Sequence, residues 1–328
     1  MLRLRSLLPI TLTLALGLAG CGQASQRVTG ALVGAGSLEA QGAPRELRHL
    51  KTPIGMIVAG LLPEPGNRRA KEDVADVLSV EEQDLLGVSI MGGKGRSLPK
   101  AVDLRPHFEP VRNQGALGSC SAFAATAVME AMHHLHGKRG AERLSPLFFY
   151  YAERQAMEQD GVRQATRKDT GAFMSLAAAT AVKIGAAPEK LVPYADGKEG
   201  LGYDATAAHF EAAEPHRLKK KARIKTLQGM KAALAAKKPF LLPIILYDSF
   251  MTREVAKTGL MPMPGRREAI QGGHAVVAVG YDDEKQAFLI RNSWGTDWGY
   301  KGHFWMPYAF FTSSYVGSYF YGECWTLE

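Results

Sequence analysis

The 328-residue chain predicts an α+β fold, with helices gathered in its first half and strands in its second. Three observations carry this. Phe123, Ala124, Ala127, Val128, Ala131, Met132 and Leu135 recur at three- and four-residue steps, one face of a helix. Ser145-Pro146 opens a second helical stretch through Leu147, Phe148, Phe149, Tyr150 and Tyr151, with serine as cap and proline at the first position. From Phe240 onward short apolar runs replace that spacing: Phe240 to Leu246, Ala275 to Val279 and Ala287 to Ile290.

The length allows one large domain or two small ones, with ample material for a core. The formal net charge of +8 favours acidic surfaces in general. No basic stretch is interleaved with aromatics, so nucleic acid is not an expected partner. Arg217 to Lys225 is a basic run of the kind that forms a solvated face.

Met1 to Cys21 reads as a targeting segment. Arg3 and Arg5 form a positive start, and Leu7 to Leu18 is apolar but short for a membrane span. Leu18-Ala19-Gly20-Cys21 resembles a bacterial lipobox, which implies cleavage after residue 20 and acylation of Cys21. Several acyl chains would hold the protein to a membrane, in the outer membrane if the cell is Gram-negative. The alternative is an ordinary cleaved signal peptide.

Residues 21–97 are rich in Gly and Ala and broken by Pro44, Pro53, Pro63 and Pro65. Pro53 to Leu62 is apolar enough to pack on something, and Glu72 to Leu86 has the makings of a short helix. The segment is either a tether or a prosegment lying over a cleft. Gly92 to Ser97 reads as an exposed junction that a protease could nick.

In the first helix Ser119 suits the N-cap and Gly137 the C-terminal stop. Cys120 therefore falls in the first turn, where backbone N–H groups and the helix dipole favour thiolate over thiol. That is the environment of a nucleophile, although an isolated cysteine there is also a small buried hydrophobe. Downstream, Gly272-Gly273-His274 precedes the apolar run from Ala275, and Asn292-Ser293-Trp294-Gly295 follows the run from Ala287.

The order Gln114, Cys120, His274, Asn292, within GSC-x-AF, GGHAV-x-x-VGY and NSWG-x-x-WG, resembles the papain-like cysteine peptidases. The likeness runs from about Leu98 to about Tyr308 and sets a catalytic domain at 98–328. It implies a helical lobe and a β-barrel-like lobe with the active-site cleft between them, and peptide or protein substrates. It implies that Cys120 attacks, that His274 takes and returns the proton, and that Asn292 orients the imidazole. Gln114 would stand beside the Cys120 N–H as an oxyanion donor, a contribution of roughly 3 kcal/mol. Gly171, Phe173, Met174, Gly273 and Trp294 are the expected substrate-lining positions. Phe173 and Met174 are equally compatible with plain core, and Trp294 would also shield the His274–Asn292 contact from water. The two methionines of Met261-Pro262-Met263-Pro264 lie in a loop that borders the cleft in relatives. No cofactor or metal is expected, and the protein is expected to be a monomer. Endo- or exopeptidase action stays open.

Leu117 and Ser121 depart from the commoner family pattern, which has cysteine and tryptophan there. With Cys21 acylated, only Cys120 and Cys324 remain, so the core must replace a disulfide network. This fits the bacterial, disulfide-poor, xylellain-like branch. Cys324 reads as an inert buried thiol or as a partner for another protein. His133, His134 and His136, with Glu130 one turn earlier, read either as a metal cluster or as imidazoles and an exposed carboxylate on a solvated last turn. Two other classes share the motifs: an acyl transferase in which an amine outcompetes water, and an inert surface-tethered binding module.

Overall fold

The computed structural model describes residues 97–137, 142–313 and 324–328 in full, and the backbone alone of 49–52 and 55–58. Residues 1–20, Cys21 and the helix expected over 72–86 lie outside these. Within the 21–97 segment β1 (His49–Thr52) and β2 (Gly55–Val58) form an antiparallel pair.

The first apolar-periodic run forms α1 (Cys120–Leu135), and Gly137 follows with φ +84° as its stop. Ser145 caps α2 (Pro146–Gln159) by accepting from the Phe148 N–H at 3.1 Å. α3 (Met174–Lys183) packs on both, and the three bury Ala, Met and aromatic side chains in one cluster. Two short helices follow, α4 (Gly197–Leu201) and α5 (Ala207–Ala213).

The second half is a seven-stranded antiparallel sheet. Its strands are β3 (Ala101–Asp103), β4 (Lys221–Ile224), β5 (Phe240–Tyr247), β6 (Ile270–Asp282), β7 (Ala287–Arg291), β8 (His303–Pro307) and β9 (Cys324–Leu327). They are ordered β4-β9-β5-β6-β7-β8, with β3 paired to the far end of β6. α6 (Leu227–Ala235), α7 (Arg253–Thr258) and α8 (Ala309–Thr312) complete this lobe.

β6 explains why its sequence is almost continuously apolar. Ala275, Val277 and Val279 join the helical cluster, while Val276, Ala278 and Tyr281 join the cluster of the sheet lobe. From Ala275 to Val279 alternate residues thus face two cores and both faces are buried, and Tyr281 joins the sheet lobe after the register shift at Gly280. Gly280 sits at a register shift, where a Cβ would lie 2.3 Å from the Val102 carbonyl oxygen. Only glycine lets β3 approach so closely.

Some expectations change. Pro243 lies within β5, which runs between β9 and β6. Among the described residues β9 pairs Phe240 and Leu241, and β6 pairs Pro243 with Ala275. Glu130 is not an exposed helix residue: it is 5% exposed, ion-pairs with Arg112 at 3.0 Å and accepts from the Leu144 N–H at 2.8 Å. Nor is His133 solvated, since it is buried with its ring 5.7 Å from that of His216. His134 turns to Glu109 instead, 3.9 Å away, so the three imidazoles do not converge. Met261 is core of the sheet lobe, and Met263 packs half-buried against it.

Candidate active site

The chain before α1 is bound to the sheet lobe. Gln114 N–H donates to the Ser293 carbonyl at 2.9 Å, Gly295 N–H donates to Arg112, and Asn113 bridges to Trp294. The segment carrying Gln114 therefore lies along the segment carrying Asn292. Gly115 turns the chain with φ +59°, and a Cβ there would fall 1.9 Å from Asp196 Oδ2.

Cys120 is the first residue of α1 and is 0% exposed. It shares a buried cluster with Ala275, the residue after His274. Ser119 occupies the N-cap position, but its hydroxyl does not cap the helix. It meets Tyr194 OH at 2.9 Å, and Tyr194 OH donates to the Gln114 carbonyl at 2.7 Å. Burial holds the Tyr194 phenol well above its usual pKa, so it remains a donor.

His274 begins the buried part of β6. Its Nε2 lies 2.8 Å from Asn292 Oδ1. The Ser293 N–H also donates to that oxygen, at 2.8 Å, which fixes the atom as oxygen rather than amide nitrogen. Nε2 must then carry the proton, and Nδ1 is left as the basic nitrogen. Nδ1 is buried with no hydrogen-bond partner. Burial pushes the imidazole pKa down to about 4, opposed by the Asn292 contact. Trp294 stacks on the ring, with centroids 5.0 Å apart at 28°, and Trp298 and Phe250 pack behind it.

The Gln114 amide is also oriented. Its Oε1 accepts from Ser293 Oγ at 2.6 Å, so Nε2 is the end that donates to the Leu117 carbonyl at 3.0 Å. Ser293 stands in the NSWG stretch, yet nothing in the sequence indicates that its hydroxyl sets this amide.

Among the expected substrate-lining residues, Gly273 and Phe173 are half-buried. Met174 is 1% exposed and packs within the helical core. Trp294 is buried against His274 rather than presented outward. Gly171 has φ +69° and sits in the turn before α3.

Ser121, the residue after Cys120, donates to Glu153 Oε2 at 2.8 Å. Glu153 is fully buried on α2, and burial raises its pKa to about 8 against the opposing Ser121 bond and Arg154 charge. It is therefore protonated at neutral pH in the folded protein and ionised when unfolded. Neutral Glu153 contributes stability that is complete below about pH 4.5, declines as pH rises, and is gone above about pH 8. Urea unfolding of Glu153→Gln, which cannot titrate, should thus gain on the parent across that window by a few kcal/mol, on the order of the pKa shift. A pH-independent difference would remove the assignment.

Fold and site together define a two-lobe α+β protein in which cysteine, histidine and asparagine come from α1, β6 and the turn after β7. The chain belongs to the papain family of cysteine proteases, whose family profile matches residues 98–315. It is thus a cysteine peptidase with the papain-like fold, and proteins or peptides are its substrates. It is 33% identical over 221 residues to an uncharacterized peptidase C1-like protein of Acanthamoeba polyphaga mimivirus, covering 64% of this chain and 68% of that one. It is 28% identical over 274 residues to the cathepsin B-like CP3 of Giardia intestinalis, covering 79% and 86%. Its structure is similar to that of xylellain, a cysteine protease from Xylella fastidiosa, with TM-score 0.68, 28% identity and coverage of 86% and 97%.

Proposed function

We propose that the chain hydrolyses peptide bonds with Cys120 as nucleophile, His274 as proton carrier, Asn292 as the residue that fixes its tautomer, and Gln114 with the Cys120 N–H as oxyanion donors. The observation that carries this is the His274–Asn292 contact, because it leaves Nδ1 basic and without another partner. The thiol proton passes to Nδ1, and the thiolate so formed stabilises the imidazolium that burial alone disfavours. The thiolate attacks the carbonyl, the oxyanion takes its hydrogen bonds from Gln114 Nε2 and the helix terminus, and imidazolium protonates the leaving amine. Water, deprotonated by neutral His274, then cleaves the thioester.

Cleavage after residue 20 and acylation of Cys21 would tether this monomeric enzyme to the bacterial envelope, at the outer membrane in a Gram-negative cell. Residues 21–97 act either as a tether that holds the enzyme off the lipid or as a prosegment that lies over the cleft until removed.

The test is labelling with the epoxide thiol trap E-64, intact mass and digestion of a peptide library, run on residues 21–328 and on residues 98–328. One adduct at Cys120 with cleavage products is expected from the shorter chain, and none from Cys120→Ala. A folded, reduced protein that takes no adduct in either form would overturn the proposal.

A further inference from the structure

We propose that Asp169 is a positioning residue of the peptidase reaction: its carboxylate ties the turn that carries Cys120 to the turn that carries Gly171. The proposal rests on the reading of Cys120 and Gly171 given above. Both Asp169 oxygens lie 3.0 Å from the Gly118 N–H, two residues before Cys120. Tyr150 OH donates to Oδ1 at 2.6 Å, and the same hydroxyl accepts from the Gly171 N–H at 2.9 Å. One carboxylate and one phenol thus span from the backbone beside the nucleophile to the backbone expected to pair with substrate.

The surroundings are built to hold that span. Tyr150 is wholly buried on α2, and burial with the nearby Asp169 charge keeps it a phenol. Arg154, one turn on, stacks its guanidinium 4.3 Å from the Tyr150 ring centroid. It also donates to the Thr166 carbonyl at 3.0 Å and the Lys168 carbonyl at 3.3 Å, pinning the chain that leads into Asp169. Arg154 thereby brings a positive charge near the half-buried carboxylate as well. Leu117 stands in the nucleophile turn without a thiol, so this turn cannot be cross-linked through that position. Hydrogen bonds to a carboxylate are roughly twice as strong as neutral ones, which suits them to the task. A displacement of about 1 Å between reacting groups is enough to lose about 10²-fold in rate.

The two ends of the tie do different things, and variants separate them. Asp169→Ala removes both bonds. Asp169→Asn keeps an Oδ1 able to accept from Gly118 and Tyr150 together. Tyr150→Phe frees only the Gly171 end. The full chain after leader cleavage, matured as the parent is, is assayed for kcat and KM on a peptide and for alkylation of Cys120 by iodoacetamide, which needs no substrate cleft. Asp169→Ala should lose about 10²-fold in kcat/KM and alkylate several-fold more slowly. Asp169→Asn should stay within about threefold of the parent. Tyr150→Phe should raise KM about five- to tenfold with alkylation unchanged. Amide exchange at Gly118 and Gly171 should quicken in Asp169→Ala.

Parental kinetics in Asp169→Ala, whatever its melting temperature, overturn the tie. If that variant does not fold, Tyr150→Phe with a parental KM overturns it instead. A parent that alkylates at Cys120 but cleaves no peptide sinks the peptidase reading alone. The exchange and alkylation rates still decide the tie in that case, and unchanged rates in Asp169→Ala reject it.

Discussion

His274→Ala should lower kcat/KM on a peptide by about 10³- to 10⁴-fold, a loss of about 4 to 5.5 kcal/mol of transition-state stabilisation. In the proposed mechanism the imidazole takes the thiol proton in one step and supplies the leaving amine in the next, so its loss is felt in every proton transfer. Alanine leaves Asn292 Oδ1 still bonded to the Ser293 N–H, so the turn after β7 keeps an anchor. The Trp294 indole loses its stacked partner but retains Trp298 and Phe250. The fold should therefore survive, and a near-parental circular dichroism spectrum is the control. Added imidazole should recover part of the lost rate by occupying the vacated space. A loss under about tenfold would mean that another group carries the proton.

Gln114→Ala is the second large effect, about 10²- to 10³-fold in kcat with KM little changed. In the proposed mechanism the amide acts on charge that exists only in the tetrahedral state, so binding of the ground state should not register its loss. Gln114 also holds Ser293 and Leu117 through its own hydrogen bonds, and part of any loss is mechanical. Ser293→Ala separates the two. It keeps the donor and removes only the hydroxyl that orients it, so it should fall well short of the Gln114→Ala effect. Gln114→Glu should be worse than alanine, because a carboxylate repels the developing oxyanion. Equal kcat in Gln114→Ala and parent would remove Gln114 from the oxyanion site.

The site's main line was legible because it is local. An apolar face and a glycine stop mark α1, and short motifs flank His274 and Asn292. What escaped the sequence acts across distance. Ser293 reaches Gln114 over 179 positions and Tyr194 reaches it over 80. Asp169 reaches Gly118 over 51, and Glu153 reaches Ser121 over 32. No periodicity links such pairs. Asp169 and Tyr194 both stand in loops, where no repeat spacing marks a role. The misjudged residues fail for the same reason. Glu130 is buried because Arg112 comes to it from a different segment, and Met261 faces inward because its loop lies over the sheet lobe.

β6 has a consequence for how the protein comes apart. Each lobe draws part of its interior from the same strand, and His274 stands on it. Neither lobe can melt while leaving the other whole, since the departing half would strip one face of the shared spine. Loss of structure and loss of the proton carrier are therefore a single event. A papain-like chain arranged in this way should unfold as one unit, leaving no half-folded form in which the proposed nucleophile stays reactive.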